Sequence, residues 1–426
     1  MTRRLRQLIP CVLLLFLVAC GAREDDFLRE SVLVDTEGEV TVPEQNHYAD
    51  LSVPTCVTKV GDLYFIVDCY HDQVIYNDSL EDPVAQWSML PTGMPVTDGT
   101  VPQSPESGDR WDSPPVTSLR QPHTIASDGV VYLVDDTENN RVVIYERVET
   151  GADVTGGTVP RSPEDGDRGD SPAVTSVPAV NFTLTQYFND IGVRPHFTVY
   201  DEPTKTFYVW SSFSGEMYLF KRRESDNRVL LTDIKKVPEL AGVYVRSFTI
   251  DGDRILFVSG LAVADEVYAQ AAAQSDTSST ASGPPSPQGE GQEQAHGQDL
   301  LPLQERATGV ILACDKKTFE VEARYPVPDE IAGMVQIMNT SGYLITVSTD
   351  RVGNADAATI LFCERLEDLA SGDYVEVYDE HFIGGGTPYY MGVIDGAYYL
   401  TEHRVPGVSI WRFLYNGHIT DVKHVY

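Results

Sequence analysis

The chain has 426 residues and carries 64 Asp and Glu against 31 Lys and Arg, a formal net charge of −33. No basic stripe is left to meet phosphates, so nucleic acid is excluded as a partner. An acid excess of this size keeps an exposed surface soluble.

The chain opens with Arg3, Arg4 and Arg6, then an apolar run from Leu8 to Leu17 broken only by Pro10 and Cys11. Such a run is shorter than the ~20 apolar residues a bilayer span needs, and residues 1–19 read as a secretory signal. Leu17-Val18-Ala19-Cys20-Gly21 resembles the lipobox of bacterial lipoproteins. The resemblance implies export, acylation of Cys20, and anchoring to the cell membrane on its extracytoplasmic face. Residues 20–30 form a short charged tether, and Ser31–Val42 is expected to be a hairpin that closes the domain at its last repeat.

From there the chain repeats a strand–turn–strand–bend–strand layout. A shift of 68 residues lays Pro54, Gly61, Tyr64, Asp68 and Val74 on Pro122, Gly129, Tyr132, Asp136 and Val142 without a gap. Second strands are predicted at 63–68, 131–136, 207–212, 255–260, 343–348 and 398–403, each an apolar run bounded by turn residues. Third strands follow at 74–76, 142–147, 217–222, 310–316, 359–365 and 409–413. Fourth strands are expected at 181–187, 228–232, 319–324, 373–378 and 418–422. A four-stranded sheet that is apolar on both faces must be sandwiched between neighbours. Residues 31–426 are therefore expected to be all-β, a six-bladed β-propeller of antiparallel four-stranded blades.

Within the second unit, Asp136-Thr137-Glu138-Asn139-Asn140-Arg141-Val142 resembles the NHL-repeat signature, and Pro122-His123-Thr124-Ile125-Ala126 is similar to its opening, with Thr124 where the family has Gly. The first unit keeps Asp68 of the signature and the other four keep the pattern alone. The resemblance implies an architecture that hosts binding platforms, hydrolases and lyases alike.

Three segments fall outside the blades. Residues 99–118 and 157–176 agree at 16 of 20 positions at an offset of 58, so they occupy non-equivalent places and read as tolerated insertions. The first lies between blades one and two, the second between the third and fourth strands of blade two. A third, about 265–304, splits the second and third strands of blade four. Arg168-Gly169-Asp170 in the second copy has the form of an integrin motif, but a tripeptide in a Gly/Asp-rich loop reads as chance. Gly384-Gly385-Gly386 precedes a strand and not a helix, so it does not cradle phosphate.

Cys56, Cys69, Cys314 and Cys363 lie in the body of the domain. A turn at Val60-Gly61 would set Cys56 opposite Phe65, with Cys69 ~13 Å further along the strand. Cys314 and Cys363 sit on third strands of consecutive blades, ~10 Å apart. A disulfide needs Cα atoms within ~7 Å, so buried free thiols are expected.

The start of each first strand and the end of each second strand share one face. Alignment on the first turns puts Thr55, His123, His196, Arg246, Gln336 and Tyr390 at equivalent positions there, with Asp136 and Glu402 near the same rim. This ring is read as a binding mouth for a glycan, peptide or cell-wall fragment, with Tyr389 and Tyr390 as stacking surface. The alternative is a divalent metal on His123 and His196, aided by Asp136 or Glu402, serving a lyase or hydrolase. A third possibility is that these side chains only hydrogen-bond one another and water.

Overall fold

The computed structural model describes residues 27–34, 44–91, 118–148, 180–258, 309–328, 331, 333–348, 358–382, 387–403 and 408–426. The signal segment, Cys20, the three insertions, the Arg168–Asp170 tripeptide and the triglycine lie outside them, save for Ser118. Six separate antiparallel sheets follow in chain order, each built on four consecutive strands. Their first strands are Pro54–Val60, Pro122–Ser127, Pro195–Asp201, Phe248–Asp251, Met334–Asn339 and Thr387–Ile394. The chain is a six-bladed β-propeller.

Period-two alternation in greasy strands explains the ring. In Leu63–Asp68 of blade one, Phe65 and Val67 pack with Ile125, Tyr132 and Val134 of blade two. Ile66, between them, faces the other way and packs with Tyr399 and Ile410 of blade six. Such a cluster fills every interface between neighbouring blades, the one from blade six back to blade one included. Burial of both sheet faces is what holds the wheel together.

The strands fall where expected to within a residue or two, with fourth strands varying most. Val229–Lys236 runs longer than expected, and Val375–Glu376 shrinks to two residues. The opening segment departs from expectation. Arg29–Glu30 pairs with the fourth strand of blade three, Val32–Leu33 with that of blade two, and Glu44–Gln45 with the outer strand of blade one. It forms no hairpin at the last blade among the described residues. It is a strap that covers the outer edges of three blades, whose unpaired backbone groups offer it partners. Glu30 fastens it between Arg223 (3.3 Å) and Arg228 (2.7 Å). At the seam between blades six and one, Tyr426 Oη accepts the Leu51 N–H at 2.7 Å and Lys59 pairs with Asp395 at 2.6 Å.

The cysteine register also differs. Val60 faces Leu63, so the turn is at Gly61-Asp62, and Cys56 lies opposite Val67 rather than Phe65. Cys69 is thus two residues beyond the partner of Cys56. All four thiols are nevertheless free and buried. Burial raises those of Cys56, Cys314 and Cys363 to about 12, which makes them poor nucleophiles.

Candidate functional site

In five of the six blades the first strand carries a bulge at its mouth end, between Pro54 and Cys56, Pro122 and Ile125, Pro195 and Phe197, Met334 and Gln336, and Pro388 and Met391. A bulge breaks the ladder and re-aims side chains, here toward the axis. The amides it frees are satisfied from the second strand. Asp135 accepts the His123 N–H at 2.7 Å, Thr346 Oγ1 that of Gln336 at 3.1 Å, and Thr401 Oγ1 that of Tyr390 at 3.2 Å.

Thr55, His123, His196, Arg246, Gln336 and Tyr390 do come together, around an axial space of about 10 Å³. That is room for about one water molecule. Several of the six bind neighbouring blades to each other. Thr55 Oγ1 donates to the His123 carbonyl at 2.8 Å, and His196 Nδ1 to the Arg246 carbonyl at 2.9 Å. Gln336 donates to the Met391 carbonyl at 2.9 Å and accepts its N–H at 2.5 Å. Tyr390 fills the channel below, against Phe197 and the core that contains Cys56.

Above this plug lies an open bowl of about 380 Å³. Thr55, His123, Arg246 and Tyr389 line both spaces; His196, Gln336 and Tyr390 belong to the lower one alone. The bowl adds Tyr70, Arg194, Tyr244 and His403 from loops and strand ends. Tyr70 is 64% exposed at its rim. Arg194 pairs with Glu138 at 2.7 Å, and the Arg246 guanidinium lies 4.8 Å from the centre of the Tyr244 ring.

Both histidines have fixed tautomers. Thr137 Oγ1 donates to the Pro195 carbonyl at 2.7 Å, so it accepts from His123 Nδ1 at 2.8 Å. His123 Nε2 is thereby an acceptor, 3.8 Å from Cys69 Sγ. His196 Nδ1 donates to a carbonyl, so its Nε2 accepts from Tyr244 Oη at 3.0 Å. The rings lie against each other, with centroids 3.7 Å apart and planes 31° apart. Burial, reinforced by Arg194, lowers His123 to about 3. Burial and the neighbouring His123 hold His196 well below its ordinary value. Both are neutral at pH 7.

Asp136 and Glu402 line neither space, a correction to the expected rim. Asp136 is fully buried, ion-paired with Arg141 and accepting from the Arg120 N–H at 2.7 Å and Asn139 Nδ2 at 2.9 Å. Asp68 does the same work in blade one, accepting the Ser52 and Val53 amides at 3.0 and 2.9 Å. In blades one and two the recurring acid therefore anchors the loop that enters the first strand. Glu402 is buried between blades five and six, bonded to Tyr378 Oη and, at 2.8 Å, to Trp411 Nε1. Tyr389 packs edge-on against His403, and Tyr390, partly exposed, lines the lower space and not the bowl. Tyr70 and Tyr244 stand at the bowl instead.

The acid that holds the axial residues in place is Asp135, which the sequence reading missed. Beyond the His123 amide it takes hydrogen bonds from Thr124 and Thr198, and burial raises its carboxyl to about 7.

Geometry disfavours the metal arrangement. Rings in face contact cannot aim their lone pairs at one ion, and Tyr244 already occupies His196 Nε2. No three His, Cys, Asp or Glu side chains among the described residues converge as a metal set. The Cys69–His123 contact is no better suited to nucleophilic chemistry. Burial, with Asp135, Asp72 and Asp68 close by, raises the thiol and opposes the thiolate.

No family model and no curated protein matches the chain by sequence. By structure it is similar to a streptogramin B lyase, at 11% identity over 92% of this chain and 86% of the other, with a TM-score of 0.42. It is also similar to the hydrazine synthase of Kuenenia stuttgartiensis, at 12% identity over 86% and 78% with a TM-score of 0.40. A third likeness is the Cps50 (Swd1) β-propeller domain of Myceliophteria thermophila, at 8% identity over 90% and 89% with a TM-score of 0.39. Identities this low and superpositions this loose transfer no chemistry to the present chain.

Proposed function

We propose that this chain is an exported binding module, anchored by a lipid on Cys20 to the extracytoplasmic face of the membrane. Its NHL-like propeller would hold a glycan, cell-wall fragment or protein partner over the axial bowl. The observation that carries the reading is that bowl: about 380 Å³ of open space on the axis, floored by ordered polar side chains. Concave sites of this size, with a few convergent polar groups on a rigid scaffold, are the usual form of a small-ligand site. The lipobox supports the location and the acidic surface its solubility.

Two measurements test it. Cys20→Ala should move the protein out of the membrane fraction, and retention there would refute the anchor. A calorimetric screen of the mature protein against glycans and cell-wall fragments should find a ligand that Ser52→Trp excludes, because Ser52 lines the bowl and an indole there fills it. Binding indifferent to that substitution would remove the bowl from the proposal.

A further inference from the structure

Resting on the reading of Cys20 as a lipid anchor, we infer that the outer rim of blades two and three is the face the wheel sets against the membrane. The propeller then stands on edge, with its bowl opening along the surface of the bilayer.

The strap marks this rim. Arg29–Glu30 and Val32–Leu33 add to the outer strands of blades three and two through backbone and polar contacts. The Leu28 N–H donates to the Leu231 carbonyl and the Val34 N–H to the Thr185 carbonyl, both at 2.8 Å. Glu30 is paired with Arg223 and Arg228, and Ser31 Oγ donates to Gln186 Oε1 at 2.7 Å. Large apolar side chains are left facing outward: Leu28 is 61%, Val32 47% and Leu33 58% exposed. No other six-residue stretch among the described residues exposes more than one large apolar side chain.

Sheet edges in water ordinarily carry charge. The outer strands of blades four and six, which have no fifth strand among the described residues, obey that rule. Glu322 and Arg324 stand exposed on Val321–Pro326, and Asp421 and Lys423 on Ile419–His424. A run of exposed apolar groups on one rim is instead the mark of an interaction surface.

Chain length selects the bilayer as its occupant. Leu28 follows the lipid-bearing Cys20 by eight positions. Eight residues span at most about 29 Å even when fully extended. A tether this short presents the strap to lipid at high local concentration. Glu30 is already paired with two arginines, so it does not oppose entry into the headgroup layer. Outer edges point away from the axis, so a wheel seated on this rim keeps its axis along the membrane plane. The bowl on that axis faces sideways, toward ligands carried on the same membrane.

The lipidated protein in phosphatidylcholine vesicles tests this, with a polarity-sensitive fluorophore on Val32→Cys. Control labels go on Val375→Cys, 60% exposed on the edge of blade five across the wheel, and on Tyr70→Cys beside the bowl. The four native thiols are buried and stay unlabelled. A quencher carried on the lipid chains should dim the Val32 label roughly threefold more than either control. Leu28→Asp with Leu33→Asp should abolish that difference and leave the melting curve and co-sedimentation with vesicles as they were. Quenching no greater at Val32 than at the controls overturns the rim. A Val32 label that shifts to the blue without being quenched is covered by protein, which gives the rim to a second copy of the chain and overturns the membrane as its occupant. In both cases co-sedimentation shows that the anchor still stands. Protein that does not sediment with the vesicles loses the anchor and the inference together.

Discussion

Two stacked histidines buried without charge make the wheel sensitive to acid in a way that can be counted. His123 is lowered to about 3 and His196 well below its usual value, in both cases chiefly by burial. An unfolded chain titrates histidine near 6.5. Because the folded values are the lower ones, acid protonates the unfolded chain first. The contribution is complete above about pH 6.5 and is lost as pH falls toward the folded value. Over that window a histidine held neutral costs about 1.4 kcal/mol per pH unit, so His123 alone removes about 2–3 kcal/mol between pH 6.5 and 4.5, and His196 adds to the loss in the same direction. Losses of that size are a large fraction of the stability of an ordinary domain. The assay is urea unfolding at half-unit pH steps for the native sequence and for a His123→Asn, His196→Asn double variant. Asn keeps the Nδ1-type donor that Thr137 and the Arg246 carbonyl require. Carboxylates titrate alike in both proteins and cancel. The native chain should take up about two more protons on unfolding near pH 5 than the variant does. Equal pH slopes would show that the histidines are not buried as neutral bases, and the geometry built on their tautomers would fall with that result.

Further outcomes follow from other buried contacts. Asp136→Ala strands Arg141, whose side chain is 5% exposed, and should cost about 3–5 kcal/mol in urea unfolding. Gln336→Ala should cost about 3 kcal/mol, because the Met391 N–H and carbonyl both lose their partner between blades five and six. Gly309→Ala should destabilise by at least about 1 kcal/mol, since φ is +59° there and a Cβ would meet the Val327 carbonyl oxygen at 2.4 Å. A thiol reagent should label none of Cys56, Cys69, Cys314 and Cys363 in the native protein and all four in urea, with reductant making no difference to the melt. Rapid native labelling would contradict their burial.

The strand pattern carried the architecture well because it is set by local alternation. Phe65, Ile66 and Val67 announce a sheet greasy on both faces, and only stacking on two neighbours satisfies such a sheet. The first-turn alignment also gathered the axial residues, since Thr55, His123, His196, Arg246, Gln336 and Tyr390 line one space, although Gln336 pairs with Thr346 one place past its bulge while Thr55 lies within its own. That alignment could not tell an acid facing the axis from one facing a loop. Asp135 and Asp136 are neighbours on a strand, so they point to opposite faces, and the choice fell on the one that recurs as Asp68. A signal for Asp135 did exist. It aligns with Val67, a fully buried position, and a carboxyl in a core register marks a polar network.

Most of the bowl's rim was not legible. Arg194 and Gln121 line it from loops with φ of +58° and +48°, conformations that no periodicity announces. Tyr70 comes from a 3-10 turn, where exposure depends on the packing of blade one against its neighbours. The strap was hidden for a related reason, because Arg29–Glu30 and Val32–Leu33 are too short to show a period and are specified by the edges they meet. Side-chain alternation along each strand, a property of adjacent residues, thus determined that the sheets exist and that they must form a ring. Which polar groups bind blade to blade, which face an open bowl, and how the channel below it is plugged were decided by distances between residues far apart in the chain. Those distances arise only when six sheets, their bulges and their loops meet at one axis.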